Sequence, residues 1–157
     1  MTISHAAPHW PPNALAPGDG GAAPALLVSV ENSVDFVIGP EVPSVAAMER
    51  ADTVASLALP RMLEDVPDAA RICAEVQAVL IELVDVTARY RADGPLVGRI
   101  AHDAGHITVS VGDMARVLPA PEEEPGLYLV HRLASEIGQY EGDHGGRVTW
   151  AAVPCSH

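Results

Sequence analysis

The stretch from Asp68 to Tyr90 constrains this chain more than any other. Ile72, Val76, Val79, Leu80 and Leu83 recur at three- to four-residue intervals and the pattern carries through to Tyr90, the spacing that lines apolar side chains along one face of an α-helix. Asp68 is placed to cap its start, and Arg91-Ala-Asp-Gly94-Pro95 ends it. A helix this long with one unbroken apolar face needs a second layer to cover that face. The flanking segments supply candidates for that layer.

Before the long helix, Ala25 to Val30 and Asp35 to Ile38 are short β-rich runs separated by Glu31-Asn-Ser33, which suits a hairpin or a bent edge strand. Ser44, with Pro43 before it, reads as the N-cap of a first helix over about 44 to 59, stopped by Pro60. After it, Leu96 to Ala101 and His106 to Val111 read as two strands around the turn Asp103-Ala-Gly105; Ile107, Val109 and Val111 alternate with Thr108 and Ser110. A loop from Met114 to Pro125 carries Pro119, Pro121 and Glu122-Glu123-Glu124. A third helix follows, with Leu127, Val130, Leu133 and Ile137 on one side, then a loop over 138 to 146, and Arg147 to Val153 closes as a strand containing Trp150. Both element types in mixed order predict an α+β fold, a two-layer sandwich of a mixed, mostly antiparallel sheet with about three helices on one face.

The 157 residues suffice for one domain with tails. Residues 1–24 hold five of the 14 prolines together with Gly18, Gly20 and Gly21, the composition of a disordered arm. The domain is expected over 25–154, with a short tail at 155–157. Hydrophobic residues make up 48% of the chain, yet no run reaches the roughly 20 residues a membrane helix needs, and Met1 to Pro12 has neither the basic nor the apolar region of a signal peptide. A cytoplasmic protein is expected. Nine Arg, no Lys and 21 acidic residues give a net charge of −12, which repels phosphate backbones and disfavours nucleic-acid binding. Cys73 falls on the apolar stripe and Cys155 in the tail, with no disulfide or zinc spacing. His102 and His106 flank a turn and fall short of the four ligands structural zinc takes, so no metal site is read there. Ser44, Ser110 and Ser135 read as cap, strand and helix-surface residues, leaving no nucleophile setting for a hydrolase.

Chemistry is carried by Ile81-Glu-Leu-Val-Asp-Val-Thr-Ala-Arg-Tyr90, followed by Asp113, Gly126-Leu127 and Gly145-Gly-Arg-Val-Thr-Trp150 in that order. The first segment resembles the Glu-Leu-Val-Thr-Asn-Ala-x-x-His box of the GHKL-type (histidine-kinase-like) ATPases, most closely the anti-sigma-factor serine kinases. The layout resembles that fold over residues 34 to 153. The resemblance implies ATP and magnesium as ligands. It makes Glu82 the general base or organiser of a metal-bound water, Asp113 the acceptor of the adenine amino group, and Gly126 with Leu127 the helix start that meets phosphate.

The chain departs from that pattern at the ligand-contacting positions. Val86 stands where the family has an asparagine, and an aliphatic group offers no oxygen to a hard cation. Ala115 and Val117 replace glycines after Asp113, Glu124 replaces the first glycine of the third box, Val148 replaces a threonine, and Tyr90 replaces a histidine. Glu122, Glu123 and Glu124 also bring negative charge toward the expected triphosphate, where each close pair of like charges costs about 1 kcal/mol. The changes at Val86, Ala115, Val117, Glu124 and Val148, beside an intact apolar frame, imply a degenerate ATPase-like domain that works in transcription regulation by binding a protein, such as a sigma factor or an anti-anti-sigma antagonist. ATP and magnesium binding would then be weak or absent. The alternative is an active ATP-dependent protein serine/threonine kinase with Glu82 as base. The family also implies a possible homodimer.

Overall fold

A computed structural model describes residues 28–30, 32–103, 105–143 and 145–156. In chain order the elements are β1 (Val28–Val30), β2 (Ser33–Ile38), α1 (Ser44–Met62), α2 (Ala69–Arg89), β3 (Leu96–Asp103), β4 (His106–Met114), α3 (Gly126–Leu133), β5 (Glu136–Glu141) and β6 (Arg147–Pro154). The six strands form one sheet in the order β1-β2-β3-β4-β6-β5, and every neighbouring pair is antiparallel. The expected α+β two-layer arrangement is present. The arm expected over 1–24 lies outside the described residues, and no helix among the described residues is long and apolar enough to cross a membrane.

The strand pattern explains the layers. Val34, Phe36 and Ile38 on β2 pair with Ile100, Gly98 and Leu96 on β3; Ile100 and Gly98 pair with Val109 and Val111 on β4, which in turn meet Ala151 and Thr149 on β6. These residues share one face because side chains alternate along a strand. That face is buried with Ile72, Val76, Leu80 and Leu83 of α2 in a single apolar core. Leu80 and Leu83 are fully buried, so cutting either to alanine would cost about 2 to 5 kcal/mol.

Two polar ties orient the helices. Gln77 Nε2 on α2 donates to Asp52 Oδ1 at 2.9 Å and Ser56 Oγ at 3.0 Å on α1. Arg91, just past α2, donates to the carbonyls of Gly39 at 3.3 Å, Pro40 at 3.0 Å and also Val42, fixing the loop between β2 and α1.

Several boundaries differ from expectation. Helix α1 runs through Pro60 to Met62: proline removes one N–H from the ladder, but Leu59 and Leu63 on either side are buried and the Leu63 N–H still reaches the Leu59 carbonyl at 2.9 Å. Ser44 is the first helical residue, and the N-cap is Pro43, with no side-chain cap bond. Asp68 does occupy the N-cap of α2, in a left-handed conformation (φ 61°) with no cap bond; its carboxylate faces Arg71 at 3.8 Å instead. The larger correction concerns the third helix. It stops at Leu133, and Ile137 belongs to β5, a strand within the segment expected to be helix end and loop. The Ser135 N–H docks on the Ala152 carbonyl at 2.8 Å and starts the pairing with β6.

Thr87 is fully buried on α2, and its Oγ1 has no hydrogen-bond partner among the described residues. A buried hydroxyl left unpaired costs about 1 to 3 kcal/mol, and valine has nearly the same shape. Thr87→Val is therefore expected to raise the urea midpoint, corresponding to about 1 kcal/mol of added unfolding free energy; a destabilised variant would show that the hydroxyl has a partner in solution.

Candidate functional site

Glu82 leaves α2 toward the first residue of α3. A Cβ built on Gly126 would run into the Glu82 carboxylate, so the glycine is what lets the acid lie against the helix start. Burial pushes the Glu82 carboxyl above the usual carboxylate range, Asp85 adds to the rise and Arg89 opposes it. A carboxylate at this end of α3 also sits favourably in the helix dipole. The two residues that the resemblance assigns to base and phosphate are thus in contact, with the acid filling the space above the glycine. Leu127 is buried under them, at 1% exposure.

Val86, one turn further along α2, is 2% exposed and belongs to the apolar core. An oxygen ligand at this position would have to be buried among aliphatic groups. Val117 and Ala115, by contrast, lie on the surface of the loop, Val117 with 57% exposure. Of the two valines, only Val86 fills interior volume.

Asp113 lies near the end of β4, where the β4–β6 register shifts between Val111 and Met114. Its side chain packs against the turn between β5 and β6: a Cβ on Gly142 would come within 3.0 Å of Asp113 Oδ1, and one on Gly146 would collide with Asp113 Cβ. Its charge also helps to raise Tyr140 on β5. The structure therefore seats the Asp113 carboxylate among the glycines of that turn. Val148 and Thr149 face opposite sides of β6, as alternation predicts. It is Thr149 that turns toward the helix layer, where it is fully buried, while Val148 packs on Gly112.

Thr149 belongs to a polar group that sequence reading did not find. Gln139 on β5 is buried; its Nε2 donates to Thr149 Oγ1 at 2.9 Å and approaches Met114 Sδ at 3.6 Å, while its Oε1 accepts the Leu118 N–H at 3.0 Å. This fastens the start of the 115–125 loop to the sheet. The only cue in the sequence was a glutamine near the start of the segment over 138 to 146, which was expected to be a loop.

The other end of the loop is fastened by Glu124. Its carboxylate accepts from Arg89 Nη1 at 3.1 Å and Tyr90 Oη at 2.7 Å, and Arg89 is shared with Asp85 at 3.0 Å. Arg116 lies over the Tyr90 ring at 5.0 Å and 3.5 Å from Glu123. The sequence reading placed Glu124 as a repelling charge near a phosphate; in the fold it is paired with the Arg89 guanidinium of α2 and accepts a hydrogen bond from the Tyr90 hydroxyl just past that helix. Arg89 and Tyr90 together hold the Glu124 carboxyl below the usual carboxylate range. A carboxyl with a depressed folded pKa stabilises above its unfolded pKa, near 4.3, and loses that contribution as pH falls through the folded value. The fastening should therefore persist at neutral pH and release only below about pH 4. Hydrogen-exchange protection factors at the Ala115 and Leu118 amides, with the intrinsic pH dependence of exchange divided out, are the measurement; Glu124→Gln should lower them several-fold at pH 7, and protection unchanged both by acid and by the substitution would contradict the latch.

Among the described residues, no group of three or more His, Cys, Asp or Glu side chains is arranged to hold a metal ion. Comparison with known proteins gave no matching family model and no matching curated sequence.

Proposed function

We propose that this chain is a degenerate histidine-kinase-like ATPase domain, of the anti-sigma-factor serine kinase type, that regulates transcription by binding a protein rather than by transferring phosphate. The observation that carries this reading is Val86. At the position where the family's magnesium ligand would stand, a valine with 2% exposure is packed into the core, and a hard cation takes oxygen ligands. Glu82 against Gly126 supports it, since an anionic group of the chain itself already lies over the helix start that would meet phosphate. The loop over 115–125, tied at Leu118 and Glu124, leaves Val117 and, on α3, Tyr128 exposed at 57% and 54%. These are apolar groups suited to a protein partner such as a sigma factor or its antagonist.

Calorimetric titration tests the reading. Magnesium-ATP should give no saturable heat at micromolar to low millimolar concentration, and magnesium-dependent binding in the micromolar range would overturn it. A second reading, an active protein serine/threonine kinase, rests on Glu82, whose raised carboxyl pKa suits a general base. Under that reading, labelled phosphate from ATP reaches a partner serine, and the transfer disappears in Glu82→Ala.

A further inference from the structure

Strand β5 ends the sheet on one side. It pairs with β6, and along its other flank no main-chain hydrogen bond reaches it among the described residues. In an antiparallel strand, alternate residues turn both N–H and C=O to the same side, so half of Glu136–Glu141 offers donors and acceptors to whatever lies beyond. Folded proteins usually blunt such an edge with a proline, a bulge or a charged side chain that points inward. β5 uses none of these. It contains no proline, it pairs with β6 in unbroken register, and its inward residues Ile137 and Gln139 are buried. Gln139 is also held through its side chain, by Thr149 Oγ1 and the Leu118 N–H, which fixes the strand without drawing on its main chain.

We infer that this edge takes an extended segment of a partner protein as a further strand, one that is apolar at alternate positions and carries arginine or lysine toward its ends. The inference rests on the reading of this chain as a protein-binding domain. Main-chain pairing supplies the affinity and the side chains supply the choice of partner. The charged residues on β5 are Glu136 and Glu141, both exposed, one at each end and on opposite faces of the sheet by alternation. Arg147 stands across from Glu141, but on β6, one strand further in. Opposite charges beside these two acids favour pairing and like charges oppose it, and a chain of net charge −12 draws basic segments from a distance. The apolar positions have a place as well. Ile137 is the core side chain on β5, and the Gln139 bond to Leu118 brings the exposed Val117 near the same strand; a valine or isoleucine of the added strand that faces the helix layer would cover them. A second copy fits this edge poorly. Two copies that continue one sheet about a two-fold axis set residues of the same face opposite each other. Pairing centred on Gly138 has no side chain at its centre, pairing centred on Gln139 sets Glu141 against Ile137, and each copy carries the same −12.

Selection of a random peptide display library on the full chain tests this. The selected peptides should carry β-branched or aromatic residues at alternate positions between arginines or lysines. When one of them binds, the β5 amides that point away from β6 should gain hydrogen-exchange protection. N-methylation of the peptide at one alternate set of residues should abolish binding and at the other set should leave it intact, because only one side of an added strand bonds to β5. Glu136→Lys combined with Glu141→Lys should weaken a basic-flanked peptide about tenfold and strengthen its glutamate-flanked analogue. A library that yields no binder, binders without basic flanks, or a binder that tolerates N-methylation at both sets would overturn the inference. So would protection of the same amides in the peptide-free chain that rises with its concentration, which would make a second copy the occupant. A peptide that binds at Val117 and Tyr128 and leaves the β5 amides unprotected would overturn strand addition while protein binding stands; the regulatory reading itself falls on the magnesium-ATP titration, which none of these measurements touches.

Discussion

Val86→Asn, which installs the asparagine of the ATPase box that this segment resembles, is expected to damage the protein and to confer no nucleotide binding. The side chain is 2% exposed among aliphatic neighbours. The substitution forfeits about 1.5 kcal/mol or more of apolar burial and leaves an amide unpaired in the core, at about 1 to 3 kcal/mol for each unsatisfied group. A total loss of about 3 to 5 kcal/mol is expected, a large share of the roughly 5 to 15 kcal/mol that holds a domain together. Urea unfolding measures it, and a magnesium-ATP titration on the variant should stay silent. A variant of near-normal stability that binds the nucleotide would mean that position 86 opens to a ligand cavity in solution, and the regulatory reading would fall with it.

That expectation rests on α2, the element most legible in the sequence. Its apolar residues recur over several turns, and a single periodicity sustained that long admits no strand alternative. The β3–β4 hairpin was legible for a similar reason: Gly105 sits in the turn at φ 92°, a conformation open to glycine, between two apolar-rich runs of which the second alternates cleanly. Strand β5 was not legible. Its two inward residues are Ile137 and Gln139, so the polar one erased the alternation, and Ile137 stands four residues from Leu133, where a helix would also put it. The site was half legible. Glu82, Asp113 and Gly126 could be picked out by residue type, but their neighbours come from distant parts of the chain. The meeting of Glu82 with Gly126, the seating of Asp113 in the β5–β6 turn and the pairing of Glu124 with Arg89 follow from how the layers pack, which no local pattern records.

Gly98→Ala should rank with Val86→Asn among the most damaging single substitutions, for a reason that Gly126→Ala does not share. At both positions an added Cβ would collide with a side chain. On Gly98 the obstacle is the Phe36 ring, directly opposite on β2 and 1% exposed, so the ring is held on its far side by the core. Interiors packed to crystal density cannot give way there without shifting neighbours, and overpacking of this kind costs about 1 to 3 kcal/mol, occasionally more. On Gly126 the obstacle is the end of the Glu82 side chain, which can rotate away. Gly126→Ala should therefore change stability by less than about 1 kcal/mol, with alanine's better helix propensity offsetting part of the lost contact. The discriminating measurement is a double-mutant cycle in chemical denaturation. Phe36→Leu combined with Gly98→Ala should recover part of the loss, because the smaller side chain vacates the space above position 98, giving a coupling of about 1 kcal/mol or more. Strictly additive losses at 36 and 98 would mean that the ring does not cover the glycine. A loss at Gly126 as large as that at Gly98 would mean that the Glu82 carboxylate is held rigidly over the start of α3.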